Sequence, residues 1–319
     1  MRLLLDVSAV PARPVGAGVY TIEVARRLTA AEGIDLTLLT RRADGARWAE
    51  IAPGARTVAE VPDRRPERLV WEQRRAPQLA RRIGVDLWHG PHYTMPLRLD
   101  APAVVTVHDL TFFDHPEWHE RTKVAYFRRM IRASVRRATG ILAVSDHTAR
   151  RLAAVLAPDR PVTVANHGVD HDRFTVAADP DADRARLARL GIAEPYVAFL
   201  GTIEPRKDVP ALVDAFARIA DAHPTLRLVI AGADGWGADA VRDARERLVR
   251  HGVDVRAARV EQDRPRKLDV ERVVDEPDLD HVVAERTFQL ATDGLERGVR
   301  RAGEAHRLVG QRGARRPNT

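Results

Sequence analysis

The sequence predicts an α/β protein with two domains, each built on a parallel β-sheet, of which the second is incomplete. Three observations support this prediction. The chain has 319 residues, more than one compact domain usually contains. Short runs of Leu, Val and Ile alternate with longer segments of helical periodicity, the pattern of βαβ units. That pattern stops near Gly252.

The first predicted domain covers residues 1–175. Its strands are predicted at the runs MRLLLDVS, DLTLLT, DLWHG, AVVTVHD, GILAVS and VTVANHG. Helices are predicted between them at Tyr20–Ala30, Glu120–Ala138 and His147–Leu156. This alternation indicates a Rossmann-like domain with a parallel sheet. The first run is interrupted by an Asp and is followed by no small-residue cleavage site, so it fits a buried strand better than a signal peptide.

A polar segment, residues 170–195, leads into a partial second domain at residues 176–251. Its DPDAD stretch at 179–183 is expected to cap an Arg-rich helix and not to bind a metal. Strands are predicted at YVAFLGTI and LRLVIAG, and helices at Pro210–Ala222 and Ala238–His251. This second Rossmann-like domain begins like the first but does not finish.

Residues 252–319 form an atypical charged tail. They contain 14 basic and 13 acidic residues and a single aromatic residue, Phe288. No run typical of a buried strand is longer than VV or LV. A segment with so few large apolar groups has little surface to bury, so we expect it to be poorly ordered or loosely helical.

Composition limits the classes of function. The chain has no cysteine, which excludes disulfides, thiolate zinc sites and cysteine nucleophiles. The net charge is +7, but 52 Lys and Arg are offset by 45 Asp and Glu, and no nucleic-acid-binding motif is present, so we expect no nucleic acid partner. No apolar run approaches the length of a membrane span. We therefore expect a cytoplasmic protein, with peripheral contact at the inner face of the membrane.

A glycine-rich turn, VGAGVYTIEVARRL, follows the first predicted strand. Gly16 and Gly18 would let backbone N–H groups and a helix N-terminus approach an anionic ligand. The full dinucleotide fingerprint G-x-G-x-x-G is missing, so an ordinary tight turn is an equal alternative.

Five of the 12 histidines lie between residues 89 and 119. Such clustering is typical of metal sites, but H-E-x-x-H spacing is missing and Asp109 is the one adjacent carboxylate, so we expect no metal. His108 ends the run VVTVHD, and a side chain at the carboxyl end of a parallel strand faces the crevice where open α/β sheets bind ligands. The alternative is a histidine that merely caps the strand end.

Two further basic features have a functional and an ordinary interpretation. In FLGTIEPRKD, Gly201 allows close backbone approach, and Arg206 with Lys207 suits a diphosphate; two solvated cations are the alternative. In the helix RTKVAYFRRMIRASVRRA, Arg128, Arg132 and Arg136 form a basic row at i,i+4 intervals that could lie on an anionic membrane. A surface helix packed by its apolar face is the alternative.

Seven segments in order resemble the retaining glycosyltransferases of family 4, which have the two-domain GT-B architecture. The segments are GAGVYTIEVARRL, LWHGPHYTMP, VVTVHDLTFFDHPEW, ILAVSDHTARRLA, NHGVDHDRF, FLGTIEPRKDVPALVDAFARI and LRLVIAGADGWGADAV. The resemblance covers about residues 1–251 and is strongest to the mannosyltransferase-like branch. It implies that Arg206, Lys207 and Gly201 hold the donor diphosphate. It also implies that His108 is catalytic and lines the reaction centre, and that Gly16 and Gly18 form the acceptor-side loop.

The resemblance implies sugar transfer with retention, without a metal or a cofactor. We expect a nucleotide-sugar donor, with GDP-mannose as the first choice, and a glycan or lipid-linked acceptor. The alternative is a non-catalytic remnant that binds glycan or membrane through its N-terminal domain. A nicotinamide-dependent oxidoreductase would require a fuller glycine fingerprint and a ribose-binding acid.

The sequence departs from the family after Gly252. Family members continue with a segment of the form EGFGLPxxE, whose two glutamates contact the donor sugar and the ribose. Glu296 and Glu304 have the right interval but lack the Phe-Gly and Pro that shape that loop, so we do not assign them to the site. A reading-frame change is our hypothesis for the tail; a divergent tail, or a partner chain that completes the fold, is the alternative.

Overall fold

The computed structural model describes residues 1–171 and 179–232 and, as backbone, residues 255–258. The helix predicted at Ala238–His251 and most of the charged tail lie outside the described residues. The described residues fall into two compact units. Unit 1 contains residues 1–169, and unit 2 contains residues 170–171, 179–232 and 255–258.

Unit 1 is built on a seven-stranded sheet of order β3-β2-β1-β4-β5-β6-β7. All neighbouring strands are parallel. The strands are β1 (Arg2–Asp6), β2 (Asp35–Arg41), β3 (Arg56–Val61), β4 (Leu87–Gly90), β5 (Ala103–Val107), β6 (Gly140–Ala143) and β7 (Val162–Val164). From β1 the chain first builds outward to β3 and then returns to β4 on the other side. The direction of sheet growth therefore reverses between β1 and β4, and a crevice at such a reversal is where open α/β sheets bind ligands.

Helices cover both faces of this sheet. They are α1 (Ala17–Thr29), α2 (Gly45–Ile51), α3 (Arg65–Arg74), α4 (Ala76–Ile83), α5 (Thr111–Asp114), α6 (Arg121–Arg137) and α7 (Asp146–Leu156). Successive side chains of a strand point to opposite faces. Leu4 belongs to one apolar core, and Leu3 and Leu5 belong to the other. The sheet of unit 1 is therefore buried on both sides, which the continuous apolar strand runs require.

The predicted α/β class is confirmed, and each of the six strands predicted for the first domain is present. Strand β3 was not predicted. Its sequence, RTVAEV, has the burial pattern of an edge strand with only two buried residues, so it lacks a continuous apolar run. Helices α2, α3, α4 and α5 were not predicted either.

Unit 2 contains a three-stranded parallel sheet of order β10-β9-β8. Its strands are β8 (Tyr196–Leu200), β9 (Arg227–Ala231) and β10 (Val255–Ala258), and its helices are α8 (Pro180–Arg189) and α9 (Val209–Ala220). A small core forms between α9 and the sheet around Val213, Phe216 and Leu228. As predicted, an acid of DPDAD caps α8: an Asp179 carboxylate oxygen accepts the N–H groups of the next turn.

Strand β10 differs from the prediction at four residues of the charged tail. We expected residues 252–319 to be poorly ordered or loosely helical, but Val255–Ala258 pairs in parallel with β9. The segment reads VRAA, and neither Ala nor Arg favours strands. Pairing with the buried neighbour β9 therefore decides its conformation. In the described part of the chain, no helix has the length and apolar character needed to cross a membrane.

Candidate functional site

The carboxyl edge of the unit 1 sheet carries the candidate site. The loop after β1 returns to α1 at this edge, and Gly16 begins the helix with a φ of 48°, a value that favours glycine. A Cβ on Gly18 would lie 3.1 Å from the Cβ of Pro14, tighter than most such contacts. Both predicted glycines thus have local structural roles that shape the loop, whether or not it also approaches an anion.

His108 lies directly after β5, as predicted, and its ring is held in place. Its Nε2 atom is 2.8 Å from the carbonyl oxygen of Pro91, and because a carbonyl can only accept, Nε2 must carry the proton. The ring centroid is 5.0 Å from Tyr20 and 5.9 Å from His167. Burial lowers the pKa of His108. The neutral ring therefore keeps Nδ1 as a hydrogen-bond acceptor.

Two neighbouring histidines are His89, which is buried, and His92, which is partly buried. The Nε2 atom of His89 is 2.8 Å from the Thr106 hydroxyl, which also lies 3.3 Å from the Tyr20 hydroxyl. Burial lowers the pKa of His89 to about 4 and that of His92 to about 4. His89 and His92 therefore stay neutral at physiological pH, and His89 acts as a core hydrogen-bonding group.

The remaining two histidines of the sequence cluster lie apart from this group. His115 stacks on Trp118 at 3.8 Å, and its Nδ1 atom is 3.1 Å from Glu117. His119 is 2.9 Å from the Thr111 hydroxyl. Among the residues that the structure describes, no three His, Cys, Asp or Glu side chains are placed to hold a metal ion.

A group of charged residues that the sequence analysis missed lies at the reversal point between β1 and β4. Asp6 ends β1, and Arg68 and Glu72 stand one turn apart on α3. The Ser8 N–H donates to Asp6 at 3.0 Å, and Arg68 donates to the Ser8 carbonyl at 3.1 Å. Burial and the Asp6 charge raise the pKa of Glu72 to about 8. The i,i+4 spacing of Arg68 and Glu72 could have indicated that the two side chains are neighbours, but only if this segment had been predicted as a helix.

Helix α6 packs as the ordinary interpretation expects. The Arg128 guanidinium donates to the carbonyls of Phe112 and Phe113 at 2.6 and 3.2 Å. The Arg132 guanidinium lies 4.8 Å from the Phe113 ring, and Arg136 donates to the Arg132 carbonyl. Arg128 and Arg132 therefore contact the Phe112–Phe113 segment of unit 1, whereas Arg136 contacts its own helix and is exposed.

The residues predicted to bind the donor diphosphate lie in unit 2, at the carboxyl end of β8. Arg206 and Lys207 are exposed in a 3-10 turn, Pro205–Lys207, that precedes α9. The Arg206 guanidinium forms an ion pair with Glu204 at 2.6 Å, which the sequence analysis did not predict. At Gly232, φ is 151° and a Cβ would overlap the carbonyl of Gly201. Strands β8 and β9 therefore end in close backbone contact beside these cations.

A family model, Glycosyltransferase Family 4, matches residues 14–173. The O-antigen chain mannosyltransferase B of Escherichia coli is 27% identical over 272 residues, which cover 79% of this chain and 69% of that protein. A D-inositol 3-phosphate glycosyltransferase of Geodermatophilus obscurus is 30% identical over 264 residues, 71% of this chain. The match spans 56% of that relative's length.

Solved structures share the fold at low identity. Sucrose-phosphate synthase from Thermosynechococcus elongatus is 19% identical with a TM-score of 0.60, and the match covers 80% of this chain and 69% of that one. Anabaena HepE, solved with UDP and glucose, is 19% identical with a TM-score of 0.58 and coverages of 81% and 69%. The UDP-GlcNAc 2-epimerase of Neisseria meningitidis is 14% identical with a TM-score of 0.53, and the match covers 82% of this chain and 73% of that one. The fold alone therefore does not fix the reaction.

Proposed function

The chain belongs to glycosyltransferase family 4, and from that premise we propose that it transfers mannose from a nucleotide diphosphate sugar to a glycan or lipid-linked acceptor, with retention. The observation that carries this proposal is His108, a neutral, oriented imidazole at the carboxyl end of β5. It stands in the part of the chain that the family model matches. GDP-mannose is the proposed donor, supported by the similarity to a mannosyltransferase.

In the proposed reaction the unit 2 cations bind the donor diphosphate. A guanidinium fork and an ammonium group neutralise the charge that builds up as a nucleoside diphosphate leaves. Arg206 and Lys207 supply these groups, and the close strand ends at Gly201 allow the backbone to approach the phosphates. Glu204 holds the Arg206 guanidinium near the turn. To bind the diphosphate, Arg206 must turn some of its N–H groups from Glu204 toward the phosphate oxygens. Neither a metal nor a cofactor is part of this proposal.

His108 acts on the transferred sugar. With Nε2 donating to Pro91, Nδ1 can accept a hydrogen bond from a sugar hydroxyl and so orient the ring. The departing phosphate takes the proton of the incoming acceptor hydroxyl on the same face of the sugar, which gives retention. Gly16 and Gly18 shape the acceptor-side loop. We also propose a cytoplasmic location with peripheral contact at an anionic membrane.

Calorimetric titration of GDP into the purified chain tests the donor site. Changing Arg206→Ala together with Lys207→Ala should weaken GDP binding at least about tenfold, because each charge-assisted contact contributes about 1.5–3 kcal/mol. Arg184→Ala with Arg186→Ala is the matched control, since both are exposed, ion-paired arginines of unit 2. Unchanged affinity in the first variant would refute the diphosphate role.

A second candidate is a non-catalytic remnant that binds glycan or membrane through unit 1. The sequence after Gly252 favours it, because the EGFGLPxxE segment that the family resemblance implies is missing there. The two candidates differ in turnover of GDP-mannose and other nucleotide sugars. If a chain whose unit 1 is folded neither transfers the sugar nor hydrolyses the donor, the non-catalytic remnant is favoured.

A further inference from the structure

We propose that Tyr20 is a positioning residue, whose ring holds the His108 imidazole in the orientation that sugar transfer requires. This inference rests on the proposed function, in which the imidazole orients the transferred sugar. It deepens that function by a residue to which the sequence analysis assigned no role, since Tyr20 there only begins a predicted helix.

The contact between the two rings is the first argument. Tyr20 lies on the first turn of α1, and its ring centroid is 5.0 Å from that of His108 with the ring planes at 85°. This edge-to-face arrangement is a preferred geometry of aromatic rings. The rings of Tyr93, His92 and His167 lie farther away, at 5.6, 5.9 and 5.9 Å. Within the described part of the chain, Tyr20 therefore makes the shortest ring contact of His108.

The second argument is that Tyr20 is itself held at both ends of its side chain. Its hydroxyl is 3.3 Å from the Thr106 hydroxyl. Thr106 and His108 are two residues apart along an extended segment, so their side chains point to the same face of the sheet. Tyr20 thus contacts this face twice, by its hydroxyl at one position and by its ring at the next. Two contacts on one rigid side chain restrict the rotation of its ring.

A buried histidine fixes the far end of this arrangement. Thr106 is fully buried, and the Nε2 atom of the buried His89 lies 2.8 Å from its hydroxyl. Among the described residues, His89 Nδ1 has no hydrogen-bond partner. A buried N–H group without a partner is rare, so Nε2 carries the proton of the neutral ring and donates to Thr106. The Thr106 hydroxyl is then free to donate its own proton to the Tyr20 oxygen.

The other contacts of His108 do not fix its ring plane. The Thr148 hydroxyl donates to the His108 backbone carbonyl at 3.1 Å, which anchors the main chain. The hydrogen bond from Nε2 to the Pro91 carbonyl holds one atom of the ring, about which the ring can still tilt. The rings packed against His108 therefore set the direction in which Nδ1 points. A displacement of about 1 Å at a reacting group can cost about 100-fold in rate, so this packing matters for transfer.

The contact with Tyr20 also affects protonation. Burial lowers the pKa of His108, opposed by the hydrogen bond to Pro91, with smaller effects of His167 and Asp109. Tyr20→Ala would expose the imidazole to water and raise its pKa toward the ordinary value. A protonated imidazole has lost the Nδ1 acceptor, so transfer by this variant should fall off at a higher pH than in the wild type. The titratable groups that face His108 or act on it are Tyr20, His89, His92, Tyr93, Asp109 and His167.

NMR of the full chain with 15N-labelled histidine tests the proposal without requiring turnover. The His108 signals are identified by their loss in His108→Ala. We expect Tyr20→Ala to raise the pKa of His108, and Tyr20→Phe, which keeps the ring, to leave it as in the wild type. Tyr126→Ala is the matched control, because Tyr126 is another partly buried tyrosine of unit 1 and its ring contacts Phe127. An unchanged His108 titration in Tyr20→Ala would overturn the proposal.

Single-turnover consumption of GDP-mannose, with methyl α-mannopyranoside as the acceptor, tests the effect on transfer. Tyr20→Ala should lower the rate at least about tenfold, and Tyr20→Phe about threefold, the effect of losing one neutral hydrogen bond. In a His108→Ala background, Tyr20→Ala should cause no further loss, because a positioning residue acts only through the group that it positions. A further tenfold loss there, or equal losses in the two Tyr20 variants of the otherwise wild-type chain, would reject the role of the ring.

The two measurements separate this proposal from the transferase function. Circular dichroism checks that the variants fold, and GDP affinity should stay unchanged in each, since the donor cations lie in unit 2. If the wild type consumes no GDP-mannose while Tyr20→Ala raises the pKa of His108, the transferase function fails and the positioning of the ring stands. Transfer by the wild type with a His108 titration that Tyr20→Ala does not move would reject the positioning role alone.

Discussion

The sheets of the two units are covered to different extents. In unit 1 all five residues of β5 are buried, and β1 sends alternate side chains into two apolar cores. In unit 2 the edge strand β8 leaves Val197 38% and Leu200 80% exposed. Both strands come from short apolar runs that look alike in the sequence. An apolar run thus predicts a strand but not whether that strand is buried, because burial depends on what packs against it.

The largest predicted effect tests this contrast directly. Leu38→Ala removes a fully buried side chain from β2 and should lower the free energy of unfolding by about 2–5 kcal/mol, through lost burial and a residual cavity. Leu200→Ala, the same substitution in unit 2, should cost less than about 0.5 kcal/mol, as is usual for surface positions. Urea titrations followed by circular dichroism measure both values. Similar costs at the two positions would mean that Leu200 is covered in solution.

Most of the unit 1 sheet could be predicted because its central strands are buried on both faces and have continuous apolar runs. Strand β3 lies at the edge and buries only two of its six residues, so its apolar run is broken. Helix α3 was missed for a related reason. Its apolar residues Leu69–Trp71 are consecutive, so they show none of the three- and four-residue spacing that marks an amphipathic helix.

The candidate site was predictable to the same extent. His108 was placed correctly at the end of β5, because an imidazole after a buried parallel strand has few other positions. Glu72 was missed, since it lies on the unpredicted helix α3. The ion pair of Arg206 with Glu204 was also missed. Side chains at positions i and i+2 of a turn can equally well both face solvent, so the spacing alone does not predict a contact.

The second prediction assigns sugar transfer to His108 in unit 1 and GDP binding to the cations of unit 2. His108→Ala should reduce sugar transfer about 100-fold, comparable to losing one preorganised hydrogen-bonding group of an active site. It should leave GDP affinity unchanged, since the donor cations lie in unit 2. Single-turnover assays and calorimetry measure the two quantities, with His115→Ala as the control because His115 is exposed and contacts Trp118 and Glu117. Reduced GDP affinity in His108→Ala would contradict this division.

The third prediction places a pH dependence of stability in unit 1. Glu72 has a folded-state pKa of about 8, against 4.5 in the unfolded chain, so the folded state binds the extra proton between these values. Its contribution to stability is greatest below pH 4.5 and is lost as pH rises through 8. Asp6 and the cation Arg68 face this carboxyl, with Thr94 and Gln73 as hydrogen-bond partners.

Comparison of the wild type with Glu72→Gln between pH 6.5 and 8 isolates Glu72. His89, His92, His108 and His167 have a lowered pKa in the folded state, so their unfolded forms still bind protons near pH 6.5 and oppose the Glu72 slope, but they do so equally in both proteins. The wild type should lose about 1–2 kcal/mol more than Glu72→Gln across this window. Urea titrations followed by tryptophan fluorescence report on unit 1, which contains Trp88. Equal pH dependence in the two proteins would mean that Glu72 does not titrate in this window.

The smallest predicted effect compares one helix cap in each unit. The Ser145 hydroxyl accepts the Thr148 N–H at 3.1 Å and caps α7, whose Thr148 and Leu152 are buried. Ser145→Ala should therefore cost about 1 kcal/mol of global stability. Asp179 caps α8 with two hydrogen bonds, yet none of the α8 side chains that the structure describes is buried. Asp179→Ala should fray α8 without lowering global stability, because tertiary packing and not the cap alone couples a helix to the fold. Hydrogen exchange resolved by segment distinguishes these results, and a global loss in Asp179→Ala would show that α8 packs against a surface in solution.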